Sequence, residues 1–274
     1  MKEILLRALI GGVVVSAFAL LGSVLKPMRF AGLFGAAPSV ALASLGLTVA
    51  SHGKLYGSLQ GRSMVGGAIA FLVYAYCVCV VMMSTSRLRW PQPRYCSLCG
   101  RLRRLAFGSS GYDRREMRIR FDLSKLRQTT WYEYALRFLF GGAISAVAAV
   151  ISKKFGPEVG GLFLAFPAIF PSGATLIEKH EREKKERKGL HGTIRGRTAA
   201  GVDAAGAAMG ACGLVAFAVL AWKLLPYYAT WAVLLGATLI WLGVSVSIWA
   251  SCGRLSRLRR KRRPKELIHS ARQL

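Results

Sequence analysis

The residues that could do chemistry fall in four places. The first is Gly156-Pro157-Glu158-Val159-Gly160-Gly161-Leu162, running on to Ala165-Phe166-Pro167-Ala168-Ile169-Phe170-Pro171. Pro167 and Pro171 stand four apart inside one apolar run, and each removes a helix hydrogen bond. The carbonyls they release could face a cavity or an ion path; the plainer reading is a kink packed against neighbours. Pro38 stands at the matching place in an earlier apolar run, with Val40-Ala41-Leu42 where the second proline would fall. Asp203 is the second place, a carboxylate well inside a late apolar window, and acids in such windows default to functional hypotheses. Its competing reading is an ion pair with Arg197 or contact with headgroups. The candidate path is therefore Pro38, Gly160, Gly161, Phe166, Pro167, Pro171 and Asp203.

The third place is Glu178-Lys179-His180-Glu181. Glu178 with Arg182 and Glu181 with Lys185 sit at i,i+4, which reads better as an exposed helical extension than as a metal or proton site. His191 has no assignable role. The fourth is Cys96-Ser97-Leu98-Cys99-Gly100, half of a zinc knuckle. Zinc needs four ligands, and no second CxxC or CxxH follows, so no metal is expected. Cys77, Cys79 and Cys212 read as small apolar packers. There is no phosphate loop, nucleophile–base pair, paired carboxylates or dinucleotide fingerprint. The expectation is no enzyme and no cofactor.

The elements that must position these residues are apolar. Of 274 residues, 53% are hydrophobic and 19% charged, with 30 glycines; the mean hydropathy is +0.38. A disordered chain is excluded. A membrane-crossing helix takes roughly 20 mostly apolar residues, and seven windows approach that: 4–25, 30–50, 64–84, 134–152, 159–177, 199–222 and 229–252. Each must be helical, because lipid offers backbone groups no partner. The first window is read as a span and not as a signal peptide, since it is long and belongs to the repeat described next.

Leu6-Arg7-Ala8-Leu9-Ile10-Gly11-Gly12 matches Leu136-Arg137-Phe138-Leu139-Phe140-Gly141-Gly142, and Pro27 matches Pro157. Gly32-Leu33-Phe34 with Pro38 matches Gly161-Leu162-Phe163 with Pro167, and Gly61-Arg62-Ser63 matches Gly196-Arg197-Thr198. This last match sets Ala68 opposite Asp203. Three spans separate the starts of the copies, and an odd number inverts the second. The expected fold is an all-α integral membrane protein of about seven spans: an inverted three-plus-three repeat with one extra C-terminal span. Its parts are 1–85, a basic loop 86–130, 131–222, a seventh span 223–252 and a basic tail 253–274.

The net charge is +27. Segments 86–130, 178–198 and 253–274 hold 12, eight and nine of the 39 Lys and Arg residues. By the positive-inside rule all three face the cytoplasm, which leaves the N-terminus outside and the C-terminus inside. The basic tail suits anionic lipid headgroups better than nucleic acid. Alternation through Met117-Arg118-Ile119-Arg120-Phe121-Asp122-Leu123 suggests an amphipathic piece at the headgroups. Arg7 and Arg137, at span starts, read as snorkelling anchors. Gly206 and Gly210, flanked by Ala207 and Ala211, permit close helix approach within the chain or in a homo-oligomer.

Residues 134–215 resemble a bacterial family of small multi-span membrane proteins, domain-of-unknown-function family 3147, related in pattern to GlpM-like proteins. The resemblance lies in LRFLFGGAISAV, GPEVGGLFLAFPAIFPSGATLIEKHE and KGLHGTIRGRTAAGVDAAG, with residues 1–85 as a diverged second copy. It implies a bacterial inner-membrane protein and carries over no catalytic residues. Two function classes remain, a small secondary transporter or permease, and a non-transporting scaffold or accessory protein for envelope biosynthesis.

Overall fold

The computed structural model describes residues 2–85, 120–121, 131–165 and 193–271. Helix α1 spans Lys2–Val24 and β1 Leu25–Lys26. After Pro27, α2 spans Met28–Leu33, a 3-10 turn follows at Phe34–Ala36, and α3 spans Ser39–His52. Then come α4 (Lys54–Thr85), β2 (Arg120–Phe121), α5 (Trp131–Phe155), α6 (Pro157–Leu164), α7 (Thr193–Leu224) and α8 (Thr230–Ala271). Six stretches among the described residues are long and apolar enough to cross a bilayer: 4–24, 29–52, 54–83, 134–155, 196–224 and 230–252. They match six of the seven windows. The remaining window, 159–177, is described only to Ala165, so Phe166, Pro167 and Pro171 lie outside the described residues, as do Cys96, Cys99 and the 178–191 segment.

Glycine and proline set the breaks. Gly53 (φ 88°) and Gly156 (φ 87°) take the left-handed backbone between α3 and α4 and between α5 and α6, where a side chain would be strained. Pro157 opens α6, where its missing N–H costs nothing. Pro38 cannot continue the helix begun at Met28. The chain therefore tightens, Ala37 N–H bonding the Phe34 carbonyl, and restarts at Ser39. The second span is thus interrupted in its apolar middle.

α4 and α7 pack along most of their length, antiparallel, around Phe71, Ala75, Cys79, Met83 and Ala204. α1 packs against α5, and α8 covers α7 and the interrupted span. Trp241 of α8 is buried against the interruption. Its ring meets Phe34 edge-on at 5.8 Å and Phe18 at 6.3 Å, and its indole N–H donates to the Gly210 carbonyl at 3.1 Å.

The bundle has two distinct ends. One gathers the 25–30 turn, the end of α4 and the start of α7; Gly201 lies on Met82 and Met83, and Phe30 on Trp249. The described chain leaves α4 toward 86–130, resumes at α5 and enters α7 at this end. The other end gathers the turns at Gly53, at Gly156 and at 225–229. Exposed Trp131 and Tyr132 rim the basic end, and exposed Leu55, Phe155, Tyr227, Tyr228 and Trp231 the other, the distribution of a protein whose aromatic belts meet two interfaces.

Of the alternating 117–123 pattern, only Arg120 and Phe121 lie among the described residues. Leu25 pairs antiparallel with Phe121 and Lys26 with Arg120. This pairing gives partners to the backbone just before Pro27.

Candidate functional site

Three glycine crossings among the described residues bring helices into close backbone contact. At the first, α1 meets α5. A Cβ added at Gly142 would lie 2.7 Å from the Ala8 carbonyl oxygen, and one at Gly12 would lie 2.8 Å from that of Phe138. One at Gly11 would meet Ser145, and one at Gly141 would fall 2.6 Å from the Val15 Cβ.

At the second crossing, α6 meets α4. A Cβ at Gly67 would fall 2.5 Å from the Leu162 carbonyl oxygen and 2.8 Å from the Ala165 Cβ, while one at Gly161 would meet the Gln60 carbonyl and Ser63. At the third, α2 meets α7. A Cβ at Gly210 would fall 2.5 Å from the Leu33 carbonyl oxygen and 2.9 Å from the Ala36 Cβ, while one at Gly32 would meet the Asp203 carbonyl and Gly206. Only hydrogen fits at these glycines, and the close backbones permit Cα–H···O contacts.

The second and third crossings have the same plan. Gly161-Leu162 and Ala165 meet residues 60, 63 and 67; Gly32-Leu33 and Ala36 meet residues 203, 206 and 210. The residue against which the first glycine rests is Gln60 in one and Asp203 in the other. At these two crossings Gln60 and Asp203 hold like places, whereas the sequence match sets Asp203 opposite Ala68.

Both residues are buried polar groups, Gln60 at 2% exposure and Asp203 at 7%. In the sequence Asp203 lies about one turn into its apolar window, 199–222. α7 begins ten residues earlier, at Thr193, which carries Asp203 nearly three turns into the helix. Arg197 is exposed and six positions away, on a different face of α7. Among the described residues no hydrogen bond or ion pair engages the Asp203 carboxylate. Gly161 and Asp203 are thus placed at crossings, Gly160 rests on Ser152 of α5, and Pro38 stands two residues after the 3-10 turn at the third.

Gln60 belongs to a polar run that sequence reading missed. Its Nε2 donates to Ser152 Oγ at 2.7 Å, and the Tyr56 hydroxyl donates to the Ser152 carbonyl at 3.1 Å. Gln60 Oε1 is buried without a partner. The Tyr56 ring stacks on His52 at 4.9 Å, and His52 Nδ1 lies 2.7 Å from Ser51 Oγ. Arg7 completes the run, donating to Ser51 Oγ at 3.1 Å and to Thr48 Oγ1 at 2.9 Å. Arg7 is only 5% exposed, which corrects the snorkelling reading: it reaches sideways to α3, not outward. Arg137 is half-buried. The missed signal was helix length. α4 starts at Lys54 and not near Met64, so Tyr56 and Gln60 belong to a span and not to a loop.

Among the described residues no group of three or more His, Cys, Asp or Glu side chains is placed to hold a metal ion. No family model, curated protein or solved structure matches this chain.

Proposed function

We propose that the chain is a small secondary transporter or permease of an inner membrane, built from two inverted halves with α8 as an added seventh span. The carrying observation is the pair of like-planned crossings. The short or interrupted second helix of each half, α6 or α2–α3, rests on the third helix of the other half, and each crossing buries a polar residue. Inverted-repeat carriers place their sites at such interfaces, against discontinuous helices near mid-depth.

Inversion is supported by the α1–α5 crossing. With residues 8 and 12 matched to 138 and 142, Ala8 meets Gly142 and Gly12 meets Phe138. Contacts that swap places in this way belong to a two-fold relation, and between antiparallel helices that axis lies across them, in the membrane plane. The basic end is then cytoplasmic by the positive-inside rule, with anionic headgroups against the tail. The resemblance over 134–215 and a bacterial source belong to the same reading.

The test uses the full chain with its six native cysteines replaced by Ser, in sealed vesicles, with a membrane-impermeant maleimide on one side or the other. Ser44→Cys, on the buried hydroxyl of α3, and Ser63→Cys, at the α4–α6 crossing, are both expected to react, with rates that differ between sides. Cysteines unreactive from both sides would remove the carrier and favour the scaffold.

A further inference from the structure

The two crossings differ in one chemical respect. Gln60 is neutral and tied to Ser152, whereas Asp203 is a carboxylic acid, 7% exposed, with no hydrogen-bond or ion-pair partner among the described residues. An isolated ionised carboxylate is costly in an apolar interior, and an acid kept inside a span marks ion or proton work. Asp203 also abuts the interruption of the second span: its backbone carbonyl and Oδ1 lie over Gly32, one residue before Leu33 and the 3-10 turn.

The surroundings select the ligand. The residues flanking Asp203 on α7 are Ala199, Ala200, Val202, Ala204 and Ala207, and α2 presents Gly32 to it. A metal cation needs a shell of several oxygens, and these neighbours add no side-chain oxygen. A proton needs one oxygen, which Asp203 has.

We propose that Asp203 is a proton-binding carboxyl, the coupling residue of the carrier, and that Gln60 marks the corresponding place in the other half. The proposal rests on the carrier reading. The step is a protonation: the carboxylate takes a proton from hydronium at one side, leaving water, and gives it to water at the other once the helices around the interruption have moved. The titratable groups on the elements packed around it include Arg29 on α2, Tyr76 and Cys79 on α4, Arg197 on α7 itself and Cys252 on α8. Arg29 lies within electrostatic range of Cys79 and Cys252.

Carbodiimides read out a protonated carboxyl directly. The acid adds across one C=N bond, no group leaves, and the acylurea that forms keeps the whole mass of the reagent. The full chain in phosphatidylethanolamine–phosphatidylglycerol vesicles is treated with dicyclohexylcarbodiimide from mildly acidic to alkaline pH, and peptides are weighed. The expected adduct is on Asp203, falls about tenfold per pH unit above its midpoint, and is lost in Asp203→Asn. A water-soluble carbodiimide should favour exposed Glu158 instead. Gln60→Asp should gain a second adduct at position 60. An unmodified Asp203 throughout the pH series, or an adduct indifferent to pH, overturns the proposal, and the wild-type series decides this even if a variant fails to fold. No adduct alongside side-dependent cysteine reactivity removes the proton site alone. An adduct without that reactivity overturns the carrier and, with it, coupling through Asp203.

Discussion

At the residue scale, glycines with identical backbone roles in sequence separate sharply once neighbours are known. Gly210 faces the Leu33 carbonyl, while Gly236 and Gly243 of α8 have nothing within 4 Å of an added Cβ. Gly210→Ala should therefore cost about 1–3 kcal/mol, because backbone cannot yield as a side chain would. Gly243→Ala should be neutral or gain up to about 1 kcal/mol from helix propensity. Thermal unfolding of the two variants in one detergent checks this, and equal shifts would contradict the crossing. Trp241 offers a second measurement. Trp241→Phe removes the bond to Gly210 and should cost about 1 kcal/mol. Trp241→Ala should cost about 3 kcal/mol, mostly as lost packing around Phe34 and Phe18.

At the scale of elements, the interrupted span and the clip at its base are the parts most open to test. Pro38→Ala restores an N–H at the point where the helix restarts. It should add helix and leave folding intact while changing the relative reactivity of Ser44→Cys from the two sides; unchanged reactivity would mean the interruption is only a packing kink. The β1–β2 pairing ties residues 120–121 to the turn before α2. Deleting 92–115 spares that pairing, so the protein should still insert and elute as one species on size exclusion. Loss of all folded protein would show that the 86–130 segment is a packed unit. The polar run from Arg7 to Gln60 joins α1, α3, α4 and α5. Its hydrogen bonds bind the end of the bundle away from the basic segments.

At the scale of the molecule, alternation of spans is the quantity to measure. Single cysteines near residues 110, 188 and 265 should be labelled from the cytoplasm and one at 55 from outside, in whole cells against inverted vesicles. Labelling at 188 from outside would contradict the inverted arrangement, because that basic segment and the one at 86–130 flank opposite halves yet are assigned to one end.

What the sequence determined by itself was the run of spans and the lopsided charge. Both depend on local composition: lipid forces an apolar stretch of sufficient length into a helix whatever its neighbours. The break at Pro38 was also legible, since a missing N–H acts on its own turn. The tertiary structure decided what no local pattern encodes. Asp203 is 7% exposed and lies against Gly32 of α2, contacts that its own segment does not encode. Arg7 looked like an anchor until Thr48 and Ser51 were placed beside it. Gln60, in a segment that reads as a loop, emerged as a buried polar residue of α4, and it and Asp203 each rest against a glycine of a crossing helix. Such partners lie far apart in the chain, and only the crossing of helices says which small residue makes room for which polar one.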